Sequence, residues 1–378
     1  SPVTNADSLD YHIGVPLHIL SNEGIFPSHN YFHAAAFGSG EMINMIGLIA
    51  GAEMFGPLVQ FSGMLSIVGI IKKSKITSSV KNFLIIISLT TPVYIFLVTS
   101  SKPQLLYIGC NALAFSLIFF NDSLFLKKNI FKLLIIIFSL LLVPITAKFS
   151  FALSSGLLIL VLTYKSYKEK FLKELIFISL SVFFIILFPQ IIWRVYNYGG
   201  NIFLSIFPIP TYLFGYNALA NSLTTCGYHG CFPYWILFPY SLAEFTECLG
   251  FGSLLIFFFK DYQNKKLKII FLIILIYVIF AHKFGPNIAR YYVDPLVWLS
   301  IAASRLNIRT IGIFPLIWRY IVYLQSLIIL AGITFGIFSL SIGSLNEDLR
   351  YKVMKKKASG YSLHDWANKV LPNDSVPK

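Results

Sequence analysis

From Glu41 onward the chain alternates long apolar runs with short polar breaks that are mostly basic. Apolar runs fall at about 83–99, 105–120, 130–146, 149–164, 175–193, 249–259, 267–281, 293–303 and 317–342. A hydrocarbon core about 30 Å thick takes roughly 20 apolar residues to cross as a helix. The segment 41–71 has room for a short interfacial helix and then a span, with Gly51, Glu53 and Gly56 at the joint. The pattern predicts an all-α polytopic membrane protein of about ten transmembrane helices. Several runs are short for a full crossing, so tilted or half-length helices are expected among them.

Ahead of these runs lies a polar stretch with a different period. Leu9, Ile13, Leu17 and Leu20 recur at helical spacing with mostly polar residues between them. That pattern predicts an amphipathic helix lying on the membrane, within a first extracytoplasmic loop. Pro16 cannot sit inside such a helix undisturbed, so the helix is expected to end near Val15 or kink there.

Composition agrees with the pattern. Hydrophobic residues make up 56% and charged residues 12%, with a mean hydropathy of +0.73. A soluble domain cannot hide that much apolar surface. The net charge of +14 would suggest nucleic acid in a soluble protein. Here the cations sit in the breaks, which is a topological signature, so no nucleic-acid partner is expected. Placing Lys72–Lys81 inside and alternating puts the clusters at 127–132, 165–173, 260–268 and 305–319 inside as well. The opposite side then carries only Lys102, Lys148, Arg194, Lys283 and Arg290 before the tail.

The alternation divides the chain into three parts. Residues 1–40 form the first extracytoplasmic loop, and 41–343 form the transmembrane domain with a long outer loop at 194–248. Residues 344–378 begin an extracytoplasmic C-terminal region. In that tail Lys355, Lys356 and Lys357 would suit the inner face better. Ser362 with Asp365 resembles a capping box for a helix carrying Leu363, Trp366, Val370 and Leu371. With no initiator Met and a polar opening, the chain is expected to lack at least one N-terminal span.

Chemistry concentrates on the outer side. Asp7 and Asp10 are three residues apart, so on a helix both carboxylates share a face. Either could accept a proton from a hydroxyl, or Asp7 could simply cap the helix. Glu41 opens an apolar run, where it is either paired and functional or a helix N-terminal charge. Lys148 and Arg290 are cations at the outer ends of spans. An anionic lipid phosphate would account for them, as would snorkelling toward headgroups. Lys102 and Arg194 are of the same type. His29 and His33, with His12 and Asp10, could hold a divalent ion, though the spacing matches no recognised ligand set. Cys226 and Cys231 frame a possible local disulfide. Glu244 and Glu247 line a cavity or cap a helix. No phosphate-binding glycine loop, nucleophile elbow or nucleotide fold is present.

In order along the chain, Asp7 and Tyr11 stand as Asp-x-x-x-Tyr, followed by Gly24, Asn30 and Tyr31 in a loop, and then Glu41. This arrangement resembles the GT-C glycosyltransferases, nearest to the bacterial protein O-mannosyltransferase and aminoarabinose-transferase branch. The TAKFS stretch around Lys148, the ARYYVDPLVW stretch around Arg290 and Tyr291, and LPNDSVP in the tail are similar to further segments of that branch. Ser8 stands where many relatives have an acid, and His12 follows the Tyr.

The resemblance implies an inverting transfer of a sugar from a polyprenyl-phosphate carrier to a hydroxyl of a lipid, glycan or protein acceptor. It would take place at the extracytoplasmic face of a bacterial inner membrane. Asp7 would be the general base, with Asp10 as the alternative. Lys148 and Arg290 would neutralise the leaving phosphate. Tyr11, His12, Glu41 and Tyr291 would orient the reacting groups, and no cofactor would be required. A flippase or a polymerase of lipid-linked glycans is the competing class. A flippase needs polar groups reachable from both leaflets, whereas these gather on one side.

Overall fold

The computed structural model describes residues 2–5, 8–25, 37–121, 130–198, 236–239, 246–260, 262–284, 288–306, 308–309, 312–358, 360–362 and 365. Helices account for every named element, and the only β pairing among these residues is an isolated Phe259–Ile308 bridge. The helices are α1 (Gly14–Ser21), α2 (Ser39–Ile49), α3 (Phe55–Lys72), α4 (Ser78–Thr90), α5 (Pro92–Thr99), α6 (Leu105–Phe120), α7 (Ile130–Ala147), α8 (Phe151–Lys168), α9 (Leu172–Ile186) and α10 (Phe188–Tyr198). They continue with α11 (Lys265–Phe284), α12 (Val293–Arg305), α13 (Ile313–Leu340) and α14 (Glu347–Lys357). Among the described residues three helices are long and apolar enough to cross a membrane, or four if α4 and α5 form one bent span.

The bundle is built around α12, in which every residue from Val293 to Ser304 is buried. Trp298 stacks on Phe115 of α6 with ring centroids 5.6 Å apart. By contrast α13 shows most of its apolar side chains outward, as a lipid-facing helix does. Helices α3 and α6 approach closely because Gly63 and Gly109 face each other. A Cβ on Gly109 would lie 3.1 Å from the Gly63 Cα, and one on Gly63 would run into the Leu105 backbone. Gly63→Val is therefore expected to push α3 and α6 apart, at a cost of about 1–3 kcal/mol. Thermal unfolding of the detergent-solubilised protein measures it, and an unchanged midpoint would contradict the packing argument.

The run at 83–99 is a broken span rather than a straight one. Pro92 opens α5, and α4 and α5 meet at 54°. The backbone groups released at the break are met from outside it: Gln325 Nε2 donates to the Thr90 carbonyl at 2.8 Å, and the Val93 N–H donates to the Cys248 carbonyl at 3.1 Å. Protein thus replaces the water that the bilayer lacks. The run at 249–259 winds as a 3₁₀ helix, Gly250–Phe258, entered at Gly250 with φ +69°. The run at 175–193 divides at Leu187, just before Pro189, into α9 and α10.

The amphipathic segment also differs from its pattern. Residues Ser8–Ile13 wind as a π-helix, and α1 takes over at Gly14, where a Cβ would meet the Leu9 carbonyl oxygen at 2.9 Å. The break therefore precedes Pro16, which sits in the first turn of α1, where its missing N–H costs little. Leu17 and Leu20 are exposed, whereas Ser8, His12, Val15 and Ile19 are buried.

In the tail, α14 was not anticipated from the pattern. Asn346 caps it by accepting the Leu349 N–H at 2.8 Å. Acids lie in its first turn and lysines in its last, as the helix dipole favours. Arg350 pairs with Glu53, whose other oxygen accepts the Val3 N–H at 3.2 Å. The tail, the opening residues and the α2–α3 joint therefore share one end of the bundle. Most of the helix expected from Ser362 lies outside the described residues.

Candidate functional site

The same end gathers the polar residues. Helix α7 contains Pro144 and stops at Ala147, leaving Lys148 in the turn that leads into α8. Residues 37–39 dock on that turn. Ser39 Oγ hydrogen-bonds Thr146 Oγ1 at 2.8 Å and the Tyr107 hydroxyl at 3.1 Å. Gly38 lies so close to the end of α7 that a Cβ would approach the Ala147 carbonyl oxygen to 2.7 Å.

This docking fixes Glu41, which is buried in the first turn of α2. Its Oε2 accepts the Gly38 N–H at 2.9 Å, the N-terminal role that the sequence allowed. Its Oε1 lies 2.7 Å from His12 Nδ1, so the carboxylate is also paired. Asn44 Nδ2 donates both to the His12 carbonyl and to the Ser101 carbonyl, each at 2.9 Å. The π-helix, α2 and the α5–α6 loop are thereby joined. Tyr11 packs its ring 3.9 Å from the His12 ring. Burial lowers the His12 pKa; the hydrogen bond and charge of Glu41 oppose this, and the charges of Lys148 and Lys102 add to it. The ring is thus held neutral at pH 7.

A second group adjoins through Lys148. Its Nζ lies 4.9 Å from the centre of the Tyr291 ring, and the Arg290 guanidinium lies 5.6 Å from the same centre. Tyr291 is anchored by its backbone, whose carbonyl accepts the Tyr277 hydroxyl at 2.6 Å. Burial raises the pKa of the Tyr291 phenol, but the charges of Lys148 and Arg290, with hydrogen bonds from both, outweigh it and bring the value to about 8. Two cations beside one phenol make a place where a phosphate oxygen would be well received.

One turn further into the bundle lies a buried polar knot. Asn111 Nδ2 of α6 donates to Ser154 Oγ of α8 at 2.9 Å and reaches Asp294 Oδ1 of α12 at 3.5 Å. Ser155 Oγ donates to Asn111 Oδ1 at 3.2 Å. Asp294 follows Arg290 by four residues and Ser154 follows Lys148 by six, so the knot holds together the elements that carry the two cations. The Asp-Pro pair inside the apolar run at 293–303 was the available signal for it. Lys102, of the same type in the sequence as Lys148 and Arg290, is only 4% exposed, with its ammonium 4.6 Å from the centre of the Phe96 ring.

Of the residues singled out by sequence, His12 and Glu41 meet directly, Tyr11 packs on them, and Lys148, Arg290 and Tyr291 form one cluster beside them. Asp10 is exposed on the π-helix. Asp7, His29, Asn30, Tyr31, His33, Cys226, Cys231, Glu244 and the side chain of Arg194 lie outside the described residues. Among the described residues no three His, Cys, Asp or Glu side chains gather as a metal site.

The fold resembles the crystal structure of ArnT from Cupriavidus metallidurans bound to undecaprenyl phosphate. The two superpose with a TM-score of 0.52 over 97% of this chain and 68% of that one, at 12% identity. ArnT is a GT-C aminoarabinose transferase, so the resemblance read from the motifs holds at the level of fold. No curated protein is similar to the chain in sequence. Residues 1–354 match the family described as the DUF1420 N-terminal domain, and the chain belongs to that family.

Proposed function

We propose that this chain is an inverting glycosyltransferase that moves a sugar from a polyprenyl-phosphate carrier to an acceptor hydroxyl at the extracytoplasmic face of a bacterial inner membrane. The observation that carries this reading is the placement of Lys148 and Arg290 beside the one Tyr291 ring, next to the buried His12–Glu41 pair. In the first step of substrate recognition the carrier phosphate displaces the phenol from the cations. Asp7 takes the proton of the acceptor hydroxyl as its oxygen attacks the anomeric carbon. The bond to the phosphate oxygen breaks, and Lys148 and Arg290 neutralise the charge that develops there. Tyr11, His12 and Glu41 orient the reacting groups. The phosphate is a good leaving group once neutralised, so the reaction needs no cofactor. The domain division follows the same logic: residues 1–40 carry the base, 41–343 carry the cations, and 344–378 begin an extracytoplasmic C-terminal region.

The test uses membranes carrying the protein and a labelled sugar on polyprenyl phosphate. Label should pass to an acceptor with inverted anomeric configuration, with release of polyprenyl phosphate. Lipid-linked sugar that crossed the bilayer without transfer would replace this reading with a flippase.

A pH dependence follows from Tyr291. Below about pH 8 the phenol is neutral and leaves both cations to the carrier. Above it the phenolate forms between them and competes with the phosphate. The KM for the carrier is expected to rise as pH passes that value, and Tyr291→Phe should move the rise to higher pH. Identical alkaline limbs in the two proteins would refute this.

A further inference from the structure

The lysines at the end of α14 find no explanation in the transfer reaction. Among its residues Val353 and Met354 face the protein, whereas Lys352, Lys355, Lys356 and Lys357 are exposed. The helix is fixed at its start by the Asn346 cap and the Arg350–Glu53 pair. At its other end one side chain reaches α13: Lys357 Nζ lies 5.7 Å from the centre of the Phe335 ring. Phe335 is 68% exposed on the lipid-facing side of α13, and Phe338 is 72% exposed. Phe335 precedes the end of α13 at Leu340 by five residues, a depth of about 7.5 Å along the helix. The Lys357 ammonium therefore sits beside a phenyl ring that lies in from the end of α13, with Lys355 and Lys356 exposed on the same turn. That is the depth and polarity of a lipid headgroup.

We propose that Lys355, Lys356 and Lys357 form, with Phe335 and Phe338, a binding site for an anionic phospholipid of the surrounding leaflet. The lysines meet the headgroup phosphate and the rings meet the upper acyl chains. Charge complementarity selects the ligand, since a zwitterionic headgroup offsets its own phosphate. The site shares no residue with the Lys148–Arg290 cluster and does not depend on the transfer reading. It also accounts for a lysine cluster on an end of the bundle where the alternation of charge along the chain disfavours one.

The test is native mass spectrometry of the full chain extracted from vesicles of equal phosphatidylglycerol and phosphatidylcholine. Retained phosphatidylglycerol is expected to exceed phosphatidylcholine by roughly tenfold, the order that a few interfacial lysines supply. Lys355→Gln, Lys356→Gln and Lys357→Gln combined should abolish the preference. The corresponding Lys→Arg triple should keep it, which separates charge from folding. Lys72→Gln, Lys73→Gln and Lys75→Gln combined, at the other end of the bundle, should also keep it. No preference in the unaltered protein, or an equal preference in the Gln triple, would overturn the proposal.

Discussion

Replacing Lys148 and Arg290 together by methionine is expected to lower kcat/KM for a polyprenyl-phosphate donor by on the order of 10³-fold, with the fold retained. Methionine keeps most of each apolar stem, so packing against Tyr291 survives and the charge alone is removed. Each single substitution should cost about 10²-fold, and the double less than the product, because both cations serve one phosphate. Arg290→Lys should not rescue fully, since a guanidinium can hold two phosphate oxygens at fixed geometry and an ammonium cannot. Kinetics in reconstituted vesicles, with a melting curve for each variant, separate the two sources of loss. A double variant that folds and transfers within tenfold of the original would remove the cations from the mechanism.

The same substitutions show how much of this site could be read from the chain. Lys148 and Arg290 stood out because each is a cation at the wrong side of an apolar run, and the structure brings both to one phenol. Glu41 was visible as a carboxylate opening an apolar helix, and its two oxygens serve different partners. What periodicity could not supply was who meets whom across the bundle. The His12–Glu41 contact joins residues 29 apart, and the Asn111–Asp294 contact joins residues 183 apart. Asp294 was missed for the same reason.

The fold was legible where a run was long and unbroken, as in α3, α6 and α7. It was less so where proline or glycine met the membrane. Pro92 bends one span, Gly250 opens a 3₁₀ segment, and Pro189 divides another run. At the first two the backbone departs from the helix where a partner from elsewhere meets its polar groups, as Gln325 does for both Thr90 and Phe251. A window of hydropathy contains no information on that partner. Helix α14 was hidden for the opposite reason: its strong cap and its end charges were present, but its apolar stripe is too short to register as a pattern.

The proton acceptor gives the other large expected effect. Asp7→Asn should lower kcat by on the order of 10³-fold while the KM for the carrier stays within about twofold, because the amide preserves size and removes only the basic lone pair. Asp10→Asn is the control on the same segment: Asp10 is exposed on the π-helix, and its loss should change kcat little. Glu41→Gln falls between them. It keeps the Gly38 contact but removes the charge opposite His12, so it acts through the placement of the loop and should raise KM as well as lower kcat. The profile of the three substitutions, rather than the size of any one, identifies the base. A kcat loss confined to Asp10→Asn would transfer the role to Asp10. Equal and modest effects at both positions would mean that neither carboxylate takes the proton, and that the buried imidazole of His12 must be considered in their place.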